Sequence, residues 1–145
     1  MNNDESVLAK CLFFTSNRLS NIMRKVADEA FSNLEIASSY VYLLVVVNQY
    51  NGITQSELSQ KLDIAASTST RFVDKLVSQG ILKKEYDWKT AHIYLTDKGR
   101  DVCEQIDDCF ENLYRCCVDI LGEDVSNNLA KEMWEASEAL TKKGY

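Results

Sequence analysis

Between Ile53 and Arg100 the apolar period changes from helical to alternating, and each change falls on a residue suited to ending or starting an element. Thr54-Gln55-Ser56-Glu57 is a capping box, in which a threonine hydroxyl accepts from the backbone three residues on while a glutamate reaches back. A short helix is expected from there to Leu62, with a turn at Asp63. The segment AASTSTRFVDKLVSQG then reads as a second helix, with Phe72, Val73, Leu76 and Val77 inward and Gly80 at the position after its C-cap. Ile81 to Tyr86 and Ala91 to Leu95 alternate as paired strands, joined by a turn around Asp87 to Thr90. The pattern is a helix-turn-helix followed by a hairpin wing.

The flanks are helical in a different way. From about Glu5 to Phe31, Leu8, Leu12, Leu19, Ile22, Val26 and Ala30 recur at three- and four-residue intervals, which predicts one long amphipathic helix. After a break near Ser32 to Glu35, the run SSYVYLLVVVNQYNG is consistent with a buried strand or with a buried helix capped by Ser38 or Ser39 and stopped at Asn51-Gly52. Thr96 caps a last pair of helices. In the first of these, Cys103, Ile106, Phe110, Leu113, Cys117 and Ile120 form a wide apolar stripe that needs a large partner surface. Gly122 breaks the chain, and Val125, Leu129, Met133, Ala136 and Leu140 mark the final helix. The expected class is mainly α (α+β): a winged helix-turn-helix DNA-binding domain over 36–100 with a two- or three-stranded sheet, and a helical dimerisation frame from 1–35 and 101–145.

Charge is partitioned to match. The whole chain carries a net charge of -6, but residues 53–100 hold eight basic and six acidic side chains, so the acid is concentrated elsewhere. The surplus over the reader is small, which implies modest affinity, strong salt dependence and a dimer to double the contacts. No uncharged apolar run reaches membrane-spanning length and the start MNNDESVLAK is acidic, so a cytoplasmic protein without a membrane partner is expected. Five cysteines without a CxxC pair, and His92 as the single histidine, point to no dedicated metal and no cofactor. The chain offers no paired acid and base, no Gly-rich phosphate loop and no activated nucleophile, so it is not expected to be an enzyme.

The chemistry rests on the start of the second helix. Such a helix enters the major groove N-terminus first. Here it presents Ser67, Thr68, Ser69, Thr70 and Arg71, with Lys75 four residues on for backbone phosphate; Thr54 and Gln55 of the preceding helix complete the expected contact set. Small hydroxyls permit close approach, and the helix N-terminus favours phosphate.

At this point the block resembles the winged-helix domain of the MarR family of bacterial transcription regulators. TQSELSQKLDI is similar to the first reader helix and turn, STSTRFVDKLVSQGIL to the recognition helix and first strand, and IYLTDKGR to the second strand and following helix. The resemblance implies that the segment after Ser39 is helical. It also implies a homodimer on a pseudo-palindromic double-stranded operator, and a repressor switched by a small aromatic, lipophilic or anionic effector. Where that family carries Asp-x-Arg at the wing, this chain has Asp87-Trp88-Lys89, in a wing about three residues shorter; Lys lacks the planar fork of Arg. Asp87 and Lys89 are expected to face DNA, and Trp88 to pack against the protein. Ala65 and Ala66 thin the direct readout. An effector cleft is expected among Phe14, Arg18, Tyr40, Leu43 and Cys109. Two alternatives stand beside this: a thiol-redox sensor using Cys11, and a winged-helix interaction module that binds no DNA.

Overall fold

The computed structural model describes residues 7–145, so the first residues of the expected long helix lie outside the described part. It divides into two compact units, one ending at Cys109 and one spanning Phe110–Tyr145. In the first unit, helical residues at 7–9 stop short of Cys11, the N-cap of α1 (Leu12–Ala30). The expected continuous helix is therefore interrupted. No residue of α1 is buried, although its stripe is strongly amphipathic.

The ambiguous run forms a 3-10 turn (Ser38–Tyr40) and then helix α2 (Val41–Gln49). Its valines disfavour helix, but Val41, Leu44 and Val47 are buried at three-residue spacing beside buried Leu43. A strand would have sent alternate residues to opposite faces. Burial of four large side chains, at about 1.5–3 kcal/mol each, outweighs the propensity deficit of a few tenths per residue. Neither expected serine caps this helix. Ser38 instead donates through Oγ to Asp28 Oδ1 of α1 at 2.7 Å.

Strand β1 (Ile53–Thr54) leads into α3 (Gln55–Leu62), which carries the capping box in full. The Thr54 N–H donates to Glu57 Oε2 at 3.1 Å and the Thr54 Oγ1 accepts from the Glu57 N–H at 3.2 Å. These bonds, the backbone one foremost, hold the Glu57 carboxyl below its ordinary pKa. Asp63 closes α3 in the left-handed conformation. Helix α4 (Ala66–Ser78) ends in a Schellman arrangement, where Gly80 N–H donates to Val77 O and Ile81 N–H to Leu76 O. The φ of 74° at Gly80 is why that position takes glycine.

Strands β2 (Leu82–Asp87) and β3 (Thr90–Leu95) pair in register from Leu82↔Leu95 to Asp87↔Thr90, and β1 adds antiparallel to β3. The small sheet thus has order β1-β3-β2. Helix α5 (Asp97–Leu121) starts on Thr96, whose Oγ1 accepts from Gly99 N–H at 3.0 Å and donates to the carbonyls of Gly80 and Ile81. Val102, Cys103, Ile106 and Cys109 are buried in the reader's own core. The first compact unit, which includes α1, runs to Cys109, and the apolar stripe of α5 is buried along its first turns. In the second unit, the rest of α5 is followed by α6 (Glu123–Lys142), which has no buried residue.

Candidate nucleic-acid interface

Within the reader unit, α4 exposes one continuous face. Val73 and Leu76 are fully buried, which fixes the roll of the helix and turns Ser67, Thr70, Arg71, Asp74, Lys75 and Ser78 toward solvent. The N-cap is Ala65, which offers no side-chain acceptor, so the first-turn N–H groups are not capped by it. An uncapped helix start carries partial positive charge and free donors, the requirements for holding a phosphate.

The hydroxyls along this helix start differ sharply in their surroundings. Ser67 is exposed and Thr68 half-buried, but Ser69 is fully buried and its Oγ has no hydrogen-bond partner among the described residues. Ser69 cannot touch DNA and is removed from the contact set. It lies four and seven residues before Val73 and Leu76, on the inward stripe of the helix.

Thr70 is exposed but already engaged. Its hydroxyl donates to Ala66 O at 2.9 Å and accepts from Gln55 Nε2 at 2.9 Å. Thr54 is likewise committed to its capping box. Gln55 and Thr54 therefore act on α4 and α3 as positioning groups. Arg71 and Lys75 are exposed, without an ion pair among the described residues, with the Arg71 guanidinium 5.7 Å from the centre of the Phe72 ring. They are free to meet an anion. Asp74, between them on the same face, is taken up by Lys84 of β2, which clamps the hairpin to α4. Lys83 pairs with Glu85 at 3.3 Å.

At the wing tip, the Asp87↔Thr90 pairing leaves a loop of only Trp88 and Lys89. Asp87 and Lys89 are exposed, as expected. Trp88 does not pack on the protein: it is 96% exposed, because the pairing carries the strands to the very end of the hairpin and leaves no surface for the indole to fold back on.

The expected effector residues come from α1, the 3-10 turn, α2 and α5. Phe14 and Arg18 are exposed on α1, Tyr40 is half-buried with its ring edge-on to Phe72 at 4.9 Å, and Cys109 is buried. Burial pushes the Cys109 thiol pKa up, with Asp108 adding to it. Of the five, only Leu43 borders the cleft of about 400 Å³ between α2, the end of α3 and α4. That cleft is lined by Tyr42, Leu43, Val46, Lys61, Ile64 and Phe72 among others, and is mostly apolar. The sequence marks Phe72 as an inward residue of its helix but does not bring Tyr42 and Lys61 beside it, since the three come from elements that meet only through packing. Cys11 is exposed, the other cysteines being buried or half-buried.

Comparison with known proteins agrees with this architecture. Residues 39–87 match the model of the MarR family. An uncharacterized HTH-type transcriptional regulator of Bacillus anthracis is 22% identical over 101 residues, covering 70% of this chain and 69% of that protein. Among solved structures, a cysteine-to-serine mutant of MarR from E. coli, complexed with operator DNA, has a TM-score of 0.75 at 23% identity, over 86% of this chain and 94% of that one. The transcriptional repressor CouR, bound to a 23-mer DNA duplex, has a TM-score of 0.85 at 16% identity, over 90% and 94%. CouR from Rhodococcus jostii RHA1 has also been solved bound to p-coumaroyl-CoA; it matches at a TM-score of 0.77 and 14% identity, over 95% and 96%. The fold is that of the winged-helix proteins among these structures, and the matched relative is an HTH-type transcriptional regulator by name.

Proposed function

We propose that this chain, whose residues 39–87 match the model of the MarR family, is a homodimeric, sequence-specific DNA-binding repressor of that type, with its affinity lowered by a small-molecule effector. The observation that carries the reading is the exposed face of α4: an N-terminus without a side-chain cap, exposed Ser67, and Arg71 and Lys75 free of ion pairs among the described residues. Ser67 and Thr68 approach base edges, Arg71 and Lys75 neutralise backbone phosphate, and Asp87 and Lys89 serve the wing. With few positive groups per chain, affinity needs two readers on one pseudo-palindromic duplex.

The dimer reading is supported by apolar side chains that one chain leaves in water. Leu12, Phe13 and Ile22 of α1 are exposed, as are Val125, Met133, Trp134 and Leu140 of α6. Apolar surface on this scale serves association. Among the described residues no helix is long and apolar enough to cross a membrane.

For the effector, the cleft beside Leu43 is favoured over a site at Phe14, Arg18, Tyr40 and Cys109, which do not line it. It is apolar with one cation, Lys61, and one wall is Phe72, the neighbour of Arg71. An aromatic or lipophilic anion bound there would press directly on the recognition helix. The p-coumaroyl-CoA bound by CouR, an aromatic acyl thioester, supports this class.

The test is titration of duplex cut from the DNA upstream of the chain's own coding sequence, over a range of salt. Arg71→Ala is expected to lower affinity about 5- to 100-fold if it reads a base, or to weaken all duplexes alike and reduce the salt slope by about one if it holds phosphate. Unchanged affinity at low salt would remove Arg71 from the interface. Deleting 123–145 is expected to give a monomer with poor DNA affinity; an intact dimer on size exclusion would overturn the frame. The thiol-sensing alternative would act through Cys11, the exposed cysteine.

A further inference from the structure

We propose that Trp88 is a DNA-contact residue of a different kind from those on α4: an apolar wedge at the wing tip that enters the minor groove and stacks against a base step. The proposal rests on the DNA-binding reading above and deepens it by assigning how the wing discriminates between sequences.

The chain holds this indole in an unfavourable place. Trp88 is 96% exposed, and its side chain makes no hydrogen bond or ring contact among the described residues. It is the first residue of a two-residue hairpin loop and has a φ of 56°, where glycine, asparagine or aspartate ordinarily sits. A bulky side chain there strains the backbone, and exposure forgoes the burial a tryptophan would otherwise gain. Neither cost is relieved within the described protein, whereas a partner that buries the ring relieves the second.

The scaffold around it suits insertion. Six consecutive residue pairs between β2 and β3 run up to the loop, so the tip is held stiffly. The Lys84–Asp74 ion pair ties the hairpin to the exposed face of α4, the face that carries Arg71 and Lys75. When α4 meets a duplex, the tip is therefore set at a fixed offset from it. Lys89, adjacent to the indole and exposed, supplies the cation a groove or phosphate attracts.

A wedge reads deformability. Inserted apolar side chains unstack a base step, and flexible pyrimidine–purine steps yield most easily. Trp88 would thus favour TA or CA/TG steps under the wing without hydrogen-bonding any base edge. This compensates for a wing that has Lys89 in place of a forked guanidinium.

The experiment uses the full chain and the same upstream duplex. Fluorescence is read on Trp134→Phe, which leaves Trp88 as the single tryptophan, once size exclusion and duplex affinity match those of the unsubstituted chain, because Trp134 lies on the exposed apolar side of α6. Binding is expected to quench the indole emission and shield it from acrylamide. Trp88→Gly, which relieves the φ strain and so should fold at least as well, is expected to lose about 5- to 100-fold in affinity, as for loss of one base–aromatic stack. Trp88→Phe should retain most of it. Replacing pyrimidine–purine steps under the wing should weaken the parent protein and leave Trp88→Gly unchanged. If the parent binds in a salt-dependent, Arg71-dependent manner but Trp88→Gly binds equally well and the indole stays accessible, the wedge fails while the DNA reading stands. If the parent binds no duplex, both fail. Shielding of Trp88 that rises with protein concentration without DNA would assign the indole to a second copy and overturn the proposal.

Discussion

Gln55 Nε2 donates to Thr70 Oγ1 at 2.9 Å, joining the first turn of α3 to the start of the second turn of α4 through two residues expected to touch DNA. The same threonine hydroxyl donates back to Ala66 O, so its only proton is committed before any duplex arrives. The pair sets the angle between the two reader helices. In a double-mutant cycle of Gln55→Ala and Thr70→Ala, a coupling of about 0.5–1.5 kcal/mol in unfolding free energy is expected. Each single variant should also weaken duplex binding without altering its salt slope. Additive effects would show that the contact positions nothing.

Ser69 gives a prediction of opposite sign. Its hydroxyl is fully buried and unpartnered among the described residues, so Ser69→Ala removes a desolvation penalty and improves helix propensity. Thermal or denaturant unfolding should show a gain of about 1 kcal/mol, with duplex affinity unchanged. A loss of affinity on Ser69→Ala, with stability intact, would return the residue to the interface.

Ser69 also marks how far local chemistry reaches. The capping box, the Schellman end at Gly80, the hairpin and the Thr96 cap all follow from neighbouring residues, and each formed where those residues implied. At Ser69 residue type and helical position disagree: it shares one stripe with Val73 and Leu76, and the run of hydroxyls around it conceals the stripe. The exposure of Trp88 follows from register, since one more paired residue on each strand shortens the loop and lifts the ring off the sheet. The Tyr42–Lys61–Phe72 cleft depends on how three helices pack, and no local pattern carries that.

Gly99 is required by a close approach. A Cβ there would lie 2.2 Å from the backbone oxygen of Ile81, with Leu95 Cδ2 at 3.1 Å. That oxygen also accepts from the Thr96 N–H and hydroxyl, so it cannot yield without disturbing the cap of α5 and the root of the wing. In an exposed helix Gly→Ala would gain about 0.5–1 kcal/mol. Here Gly99→Ala is expected to destabilise by about 1–3 kcal/mol, measured by denaturant unfolding, and to loosen amide protection in β2. Equal or greater stability would show that α5 can lift away from the strand at no cost.

Cys103 supplies a pH dependence. Burial, reinforced by Asp107, raises its thiol from 9.0 to about 11. The folded state therefore holds this proton more tightly than the unfolded chain. Its contribution to stability is present in full below the unfolded pKa and is lost as pH rises toward and through the folded value. Two pKa units correspond to roughly 2–3 kcal/mol. Unfolding of the parent and of Cys103→Ala should be compared between about pH 8 and about pH 11, since tyrosine and lysine titration is common to both and cancels in the difference. The alanine variant starts lower, from lost packing, and its stability should fall less steeply with pH. Parallel profiles would show that the thiolate is tolerated in the core. The same burial makes Cys103 slow to alkylate near neutral pH, so exposed Cys11 should label well before it. Mass-resolved alkylation of the native protein, in which Cys103 reacted as fast as Cys11, would mean that the start of α5 opens readily and is not the fixed root of the reader's core.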